Sequence, residues 1–241
     1  MYIVTGDAYG TDTYSTGVLK SIDGGSTWNT TGLSYYINQE ETVNKVIINP
    51  SFTDSLYAIT NSNILISADA GISWQIVKSG RWRDIEFKPN NSNVLYAAKQ
   101  ESNTSSIYRS NDGGANWNII GNGMSGSRSR PLIAVTPNNS EVIYALFSAP
   151  DYSFHALYKS SDAGDNWVMQ SNSPNILGRK TDGTSTGGQS WYNLSLGVGT
   201  DNENLIYVGG INLWRSDDGG VNWNIDGSSG SGSDYSYTVS Y

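Results

Sequence analysis

Short apolar runs recur along this chain in a fixed order. Val46-Ile-Ile-Asn-Pro50 is followed by Leu56-Tyr-Ala-Ile-Thr60, by Ile64-Leu-Ile-Ser67 and by Trp74-Gln-Ile-Val77. The four return as Ile85-Glu-Phe-Lys-Pro89, Val94-Leu-Tyr-Ala-Ala98, Ile107-Tyr-Arg-Ser110 and Trp117-Asn-Ile-Ile120. A third copy reads Ile133-Ala-Val-Thr-Pro137, Val142-Ile-Tyr-Ala-Leu146, Leu157-Tyr-Lys-Ser160 and Trp167-Val-Met169, and in a fourth Thr200 stands in place of Pro before Leu205-Ile-Tyr-Val208. Runs this short, rich in β-branched and aromatic residues and bounded by Gly, Asn, Ser and Pro, predict strands. Four of them per period of about 45 residues is the pattern of a β-propeller blade.

The turn between the third and fourth strand of each unit is a sequence box, S-x-D-[GA]-G-x-x-W. It occurs at Ser21–Trp28, Ser67–Trp74, Ser110–Trp117, Ser160–Trp167 and Ser216–Trp223. Its acids, Asp23, Asp69, Asp112, Asp162 and Asp218, lie 46, 43, 50 and 56 positions apart. Each Asp is expected to accept backbone N–H groups across its turn. The second glycine position (Gly25, Gly71, Gly114, Gly164, Gly220) takes positive φ without steric cost. Trp28, Trp74, Trp117, Trp167 and Trp223 each cover a hairpin in an equivalent place. Five equivalent turns point to repeated structure rather than to catalytic or calcium-binding carboxylates, since each lacks the several oxygen ligands that calcium requires.

The units fall at about 1–33, 42–78, 81–121, 129–170 and 190–226 of a single propeller domain. Met1–Thr5 aligns with the second strand of later units, so the first unit lacks a first strand. After a Gly/Ser tract, Tyr235, Tyr237, Val239 and Tyr241 alternate with small polar residues, as in a half-buried strand. That segment, 234–241, would either complete the first blade and close a five-bladed ring, giving a monomer, or begin a sixth blade. Tyr2-Ile-Val-Thr5 follows Met1 directly, so any secretion leader or flanking domain is expected to lie outside this chain.

Composition narrows the chemistry. The net charge of −8 and the absence of a basic run argue against nucleic acid and anionic membrane surfaces. No apolar run approaches the ~20 residues of a membrane-spanning helix. With no cysteine, thiol catalysis, thiolate metal sites and disulfides are excluded. No phosphate-binding loop is present, and no cofactor or metal is expected. His155, the single histidine, is placed in a loop and read as solvated.

In a propeller the residues entering each first strand ring one mouth of the channel. Here they include Arg81, Trp82, Arg83, Arg130, Trp191, Tyr192 and, at the C-terminal segment, Tyr235. Arginines and aromatics together suit a carboxylate or sugar ligand. The alternative is that Trp82 and Trp191 cap the cores of their blades and the arginines pair with acids. The acids near this rim, Asp84, Glu86, Asp182 and Asp234, stand in no spacing that demands the carboxylate pair of a glycosidase, and no catalytic residue is assigned.

The boxes resemble the Asp-box (BNR) repeats of sialidases, sortilin-type domains and xyloglucanases. Val4-Thr-Gly-Asp7, Thr13–Lys20, Asp84–Pro89, Gln170–Leu177, Gly188–Tyr192 and Val208–Trp214 further resemble exported Asp-box propellers of Bacteroidetes, which often carry a type IX secretion signal. The resemblance runs to about Asp226. It implies a secreted or cell-surface protein and a scaffold or binding role toward glycan or protein. The alternative is a sialidase-like or xyloglucanase-like glycoside hydrolase. The sialidase form would need an arginine triad with a Tyr–Glu couple, which Arg81, Arg83 and Arg130 match only loosely.

Overall fold

The structure, a computed structural model, describes residues 1–7 and 14–228, the side chains of 227 and 228 excepted. Tyr235 and the segment 234–241 lie outside the described residues. By contact density the chain divides into two compact units. The first holds Met1–Lys99 and Tyr108–Asn118; the second holds Gln100–Ile107 and the chain from Ile119 onward.

The described residues form five antiparallel sheets, each a simple up-and-down meander. The first has three strands, β1 (Tyr2–Val4), β2 (Gly17–Lys20) and β3 (Asn29–Ser34). The second runs β4 (Val43–Ile48), β5 (Leu56–Thr60), β6 (Asn63–Ser67) and β7 (Gln75–Ser79), and the third β8 (Trp82–Lys88), β9 (Asn91–Lys99), β10 (Ser106–Ser110) and β11 (Asn118–Ile120). The fourth comprises β12 (Pro131–Val135), β13 (Ile143–Ser148), β14 (Phe154–Ser160) and β15 (Val168–Ser171). The fifth comprises β16 (Ser195–Val198), β17 (Ile206–Gly209), β18 (Asn212–Ser216) and β19 (Asn224–Ser228). These are propeller blades, and each box is the turn between a blade's last two strands, as its sequence predicts. Among the described residues the first sheet has three strands, and Ile3 on β1 is 38% exposed, whereas Ala58 on β5 is fully buried.

All five boxes close in one way. The serine hydroxyl donates to the Asp Oδ1 at 2.8 Å and accepts the N–H of the second glycine at 2.8–2.9 Å. The residue before Trp donates its N–H to Oδ1 at 2.8–2.9 Å. The same residue, Thr27, Ser73, Asn116, Asn166 or Asn222, also bonds Oδ2 through its side chain at 2.5–2.8 Å. Those bonds hold Asp23, Asp69, Asp162 and Asp218 down to a pKa of about 2, and they lower Asp112 in the same direction. The second glycines have φ of 88–96°. The preceding position is left-handed too, so Ala70 and Ala163 carry φ of 56° and 58° there.

The box tryptophans share a chain position but not one degree of burial. Trp117, Trp167 and Trp223 are buried, while Trp28 and Trp74 are half-buried. Trp117 has Trp82 beside it, ring centres 6.3 Å apart. Among the described residues no ring contact reaches Trp28 or Trp74. Tyrosines of second strands lock successive repeats together: Tyr2 Oη donates to Ala70 O at 3.0 Å and Tyr57 Oη to Gly113 O at 2.8 Å, both in the first unit. In the second, Tyr144 Oη donates to Glu203 O at 2.9 Å. Each unit has its own apolar core, built round Trp82, Ile85 and Tyr108 in the first and round Tyr144, Leu157 and Trp214 in the second.

Candidate ligand-binding cleft

The connection between β15 and β16, residues 172–194, is long and carries almost no regular structure, yet it is tied down along its length. Ile176 and Leu177 insert into the core of the second unit. Asn175 Nδ2 donates to the carbonyls of Ser185 (3.0 Å) and Gly187 (2.8 Å), and its Oδ1 accepts Phe154 N–H at 2.9 Å. Ser190 Oγ donates to Tyr152 O at 2.8 Å. The guanidinium of buried Arg130 donates to the Ser190 carbonyl. A side chain at Gly188 would run into the carbonyl oxygens of Tyr152 and Leu177, which is why glycine stands there. The amide of buried Asn212 donates to the carbonyls of Gly178 and Arg179 at 3.2 Å each.

Against this loop the β13–β14 turn leaves a cleft of about 370 Å³, lined by Asp151, Arg179, residues 185–189 and Trp191. Trp191 and Tyr192 follow the anchored Ser190 and remain 48% and 55% exposed, their ring centres 5.5 Å apart at 52°. The Ser153 hydroxyl, with help from the Ser153 N–H, holds the Asp151 carboxyl below the usual carboxylate range. Arg179 is exposed, and its guanidinium makes no hydrogen bond or ion pair with the described residues.

The expected rim residues differ in exposure. Trp191 and Tyr192 are surface aromatics of the second unit, and Arg130 stands behind them as their anchor. Arg81, in the first unit, is exposed. Trp82 is fully buried, packed edge-on to Tyr108 at 5.1 Å and beside Trp117, so it belongs to the core, as the alternative reading had it. Arg83 and Arg130 are also buried. Two cleft residues, Arg179 and Asp151, were missed; their only sequence signal is membership of the longest loop and of the turn facing it.

Asp84 and Glu86 do come together, through a partner with no sequence signal. Lys45 Nζ on β4 lies 2.8 Å from Asp84 Oδ1 and 2.5 Å from Glu86 Oε1 on β8. Burial works against the Lys45 charge, but the two carboxylates outweigh it and hold its pKa above the ordinary value. Burial raises the Glu86 carboxyl; Lys45 opposes the rise and Asp84 adds to it. His155 corrects its expectation. It lies on β14 rather than in a loop and is half-buried, with Nε2 3.0 Å from Ser125 O; burial pushes its pKa down. Among the described residues no group of three His, Asp or Glu is placed to hold a metal ion, and no helix is long and apolar enough to cross a membrane.

No family model matches the chain, and no curated protein matches it. Solved structures do. An ancestral GH74 enzyme superposes with a TM-score of 0.65 at 20% identity over 92% of this chain, and a GH74 enzyme of Niastella koreensis with 0.70 at 17% over 93%. The GH74 xyloglucanase of Xanthomonas campestris superposes with 0.68 at 15% over 94%. This chain spans 30%, 38% and 37% of those three chains. At such identities the likeness shows the fold alone, and that fold is the β-propeller.

Proposed function

We propose that this chain is an Asp-box propeller of an exported or cell-surface protein and that it binds glycan without turning it over, at the cleft beside Trp191. One observation carries the reading: an exposed aromatic pair sits on an anchored loop at the edge of a cleft whose other walls are polar. Aromatic faces cover the apolar faces of sugar rings, while Arg179, Asp151, Gln189 and the Ser185–Thr186 pair offer donors and acceptors to hydroxyl groups. Arg130 is a positioning residue in this scheme and Tyr192 a flanking contact. A protein ligand at the same aromatic pair would be the other form of a binding role.

A competing reading is a glycoside hydrolase. It draws support from the GH74 likeness and from the carboxylate of Asp151 in the cleft. A binding and turnover panel separates the two. Purified protein is titrated with soluble polysaccharides and assayed on aryl glycosides, with Trp191→Ala and Asp151→Asn as controls. Binding lost in Trp191→Ala without turnover supports the proposal. Turnover abolished by Asp151→Asn replaces it with the hydrolase.

A further inference from the structure

The cleft holds one cation that the protein does not answer. The chain carries 22 acids against 14 Lys and Arg, so an acidic partner for a surface arginine is easily supplied. The acids of the flanking segments are nevertheless committed to their own turns. Asp151 accepts from Ser153 N–H and Oγ, and Asp182 accepts from Thr184 N–H and Oγ1 at 2.9 and 2.8 Å. Lys180, next to Arg179, donates to Thr184 Oγ1. The Arg179 guanidinium makes no hydrogen bond or ion pair with the described residues, while its backbone is held by Asn212 at the Arg179 carbonyl and by buried Leu177 two residues before.

From this we infer that the cleft selects glycans that carry a carboxylate, such as chains containing uronic acid. Arg179 pairs the carboxylate and Trp191 covers the sugar ring that bears it. The inference rests on the reading of the cleft as a glycan site. A planar guanidinium offers two parallel N–H bonds that fit the two oxygens of a carboxylate, which neither a hydroxyl group nor a lysine ammonium reproduces. The negative field of the whole protein disfavours polyanions at long range, so recognition has to come from this short-range pair rather than from bulk attraction.

Calorimetric titration of the intact protein tests this with oligogalacturonate, the same oligosaccharide as its methyl ester, a neutral xyloglucan oligosaccharide and a sulfated galactan oligosaccharide. The free acid should bind about tenfold or more tighter than its ester, the size expected for charge-assisted hydrogen bonds. Arg179→Gln should abolish the preference, bringing the ratio of acid to ester affinity to about one. Arg179→Lys should recover only part of the difference, and Trp191→Ala should weaken acid and ester alike. Equal binding of acid and ester, preference for the sulfated probe, or a preference that survives in Arg179→Gln would overturn the selectivity while leaving glycan binding in place. If none of the four probes binds, the glycan reading falls and the selectivity with it.

Discussion

Arg130, buried at the entrance to β12, donates its guanidinium to the carbonyl of Ser190, sixty residues along the chain. The next residue is Trp191. The exposed aromatic pair is therefore presented by a buried cation bonded to a backbone oxygen. Replacing Arg130 with Met removes that donor and leaves a buried carbonyl short of a partner, a cost of about 1–3 kcal/mol. The expected outcome is a lower melting temperature together with faster amide exchange over residues 186–193. A melting shift with protection in that loop unchanged would separate Arg130 from Trp191.

In the boxes, the serine rather than the aspartate is the buried hub. Ser110 is fully buried; its Oγ accepts Gly114 N–H and donates to Asp112 Oδ1. Ser110→Ala strands the glycine N–H inside the turn and should cost about 1–3 kcal/mol. Chemical denaturation checks this. A loss in Asp112→Ala greater than that in Ser110→Ala would return the central role to the carboxylate.

Acid stability follows from the same turns. In the unfolded chain the box carboxyls titrate near the ordinary aspartate value of 3.8, and in the fold Asp23, Asp69, Asp162 and Asp218 are held at about 2. Because the folded values lie below the unfolded one, this stabilisation is complete above pH ~4 and is lost as pH falls toward 2. Thermal melts should be flat with respect to these groups near neutrality and decline between pH 4 and 2. Asp69→Asn should have a shallower decline than the parent protein.

Lys45 makes the opposite case. Without it, buried Glu86 loses the cation that opposes the rise of its carboxyl, so Lys45→Met should destabilise the protein at pH 7. Partial exposure of Lys45 and Glu86 keeps the loss to about 1–3 kcal/mol. The folded pKa of Glu86, already raised, rises further in the variant. Its folded form then binds the proton more tightly than the unfolded chain does, and stability relative to the parent should recover as pH drops from 7 toward 4. Melting curves at pH 7, 5.5 and 4 show whether the gap narrows.

Blades and boxes were legible in the sequence because their bonds are local. Ser110, Asp112, Gly114 and Asn116 satisfy one another within a few residues, and a continuous apolar run such as Leu56–Thr60, bounded by turn residues, reads as a strand buried on both faces. Five copies of the same local solution make the pattern unmistakable. The side chain before each Trp, always Thr, Ser or Asn, completes the same circuit and was readable from the same stretch.

The site was not local, and tertiary structure decided it. Trp82 and Trp191 stand in similar company, Arg-Trp-Arg and Ser-Trp-Tyr, Trp82 opening β8 and Trp191 lying in the loop that leads to β16. Tyr108 and Trp117 close over Trp82 and bury it completely. Arg130 and Tyr152 hold Ser190 in place and leave Trp191 at the surface. Asp84 and Glu86 acquired Lys45 from 39 and 41 residues away, a contact that only the packing of β4 beside β8 creates. Short-range hydrogen bonds and strand periodicity belong to neighbouring residues, so the sequence determines the propeller blades. Which rim side chains are buried, paired or left open depends on distant strands and on the anchoring of one long loop, and those are properties of the folded chain alone.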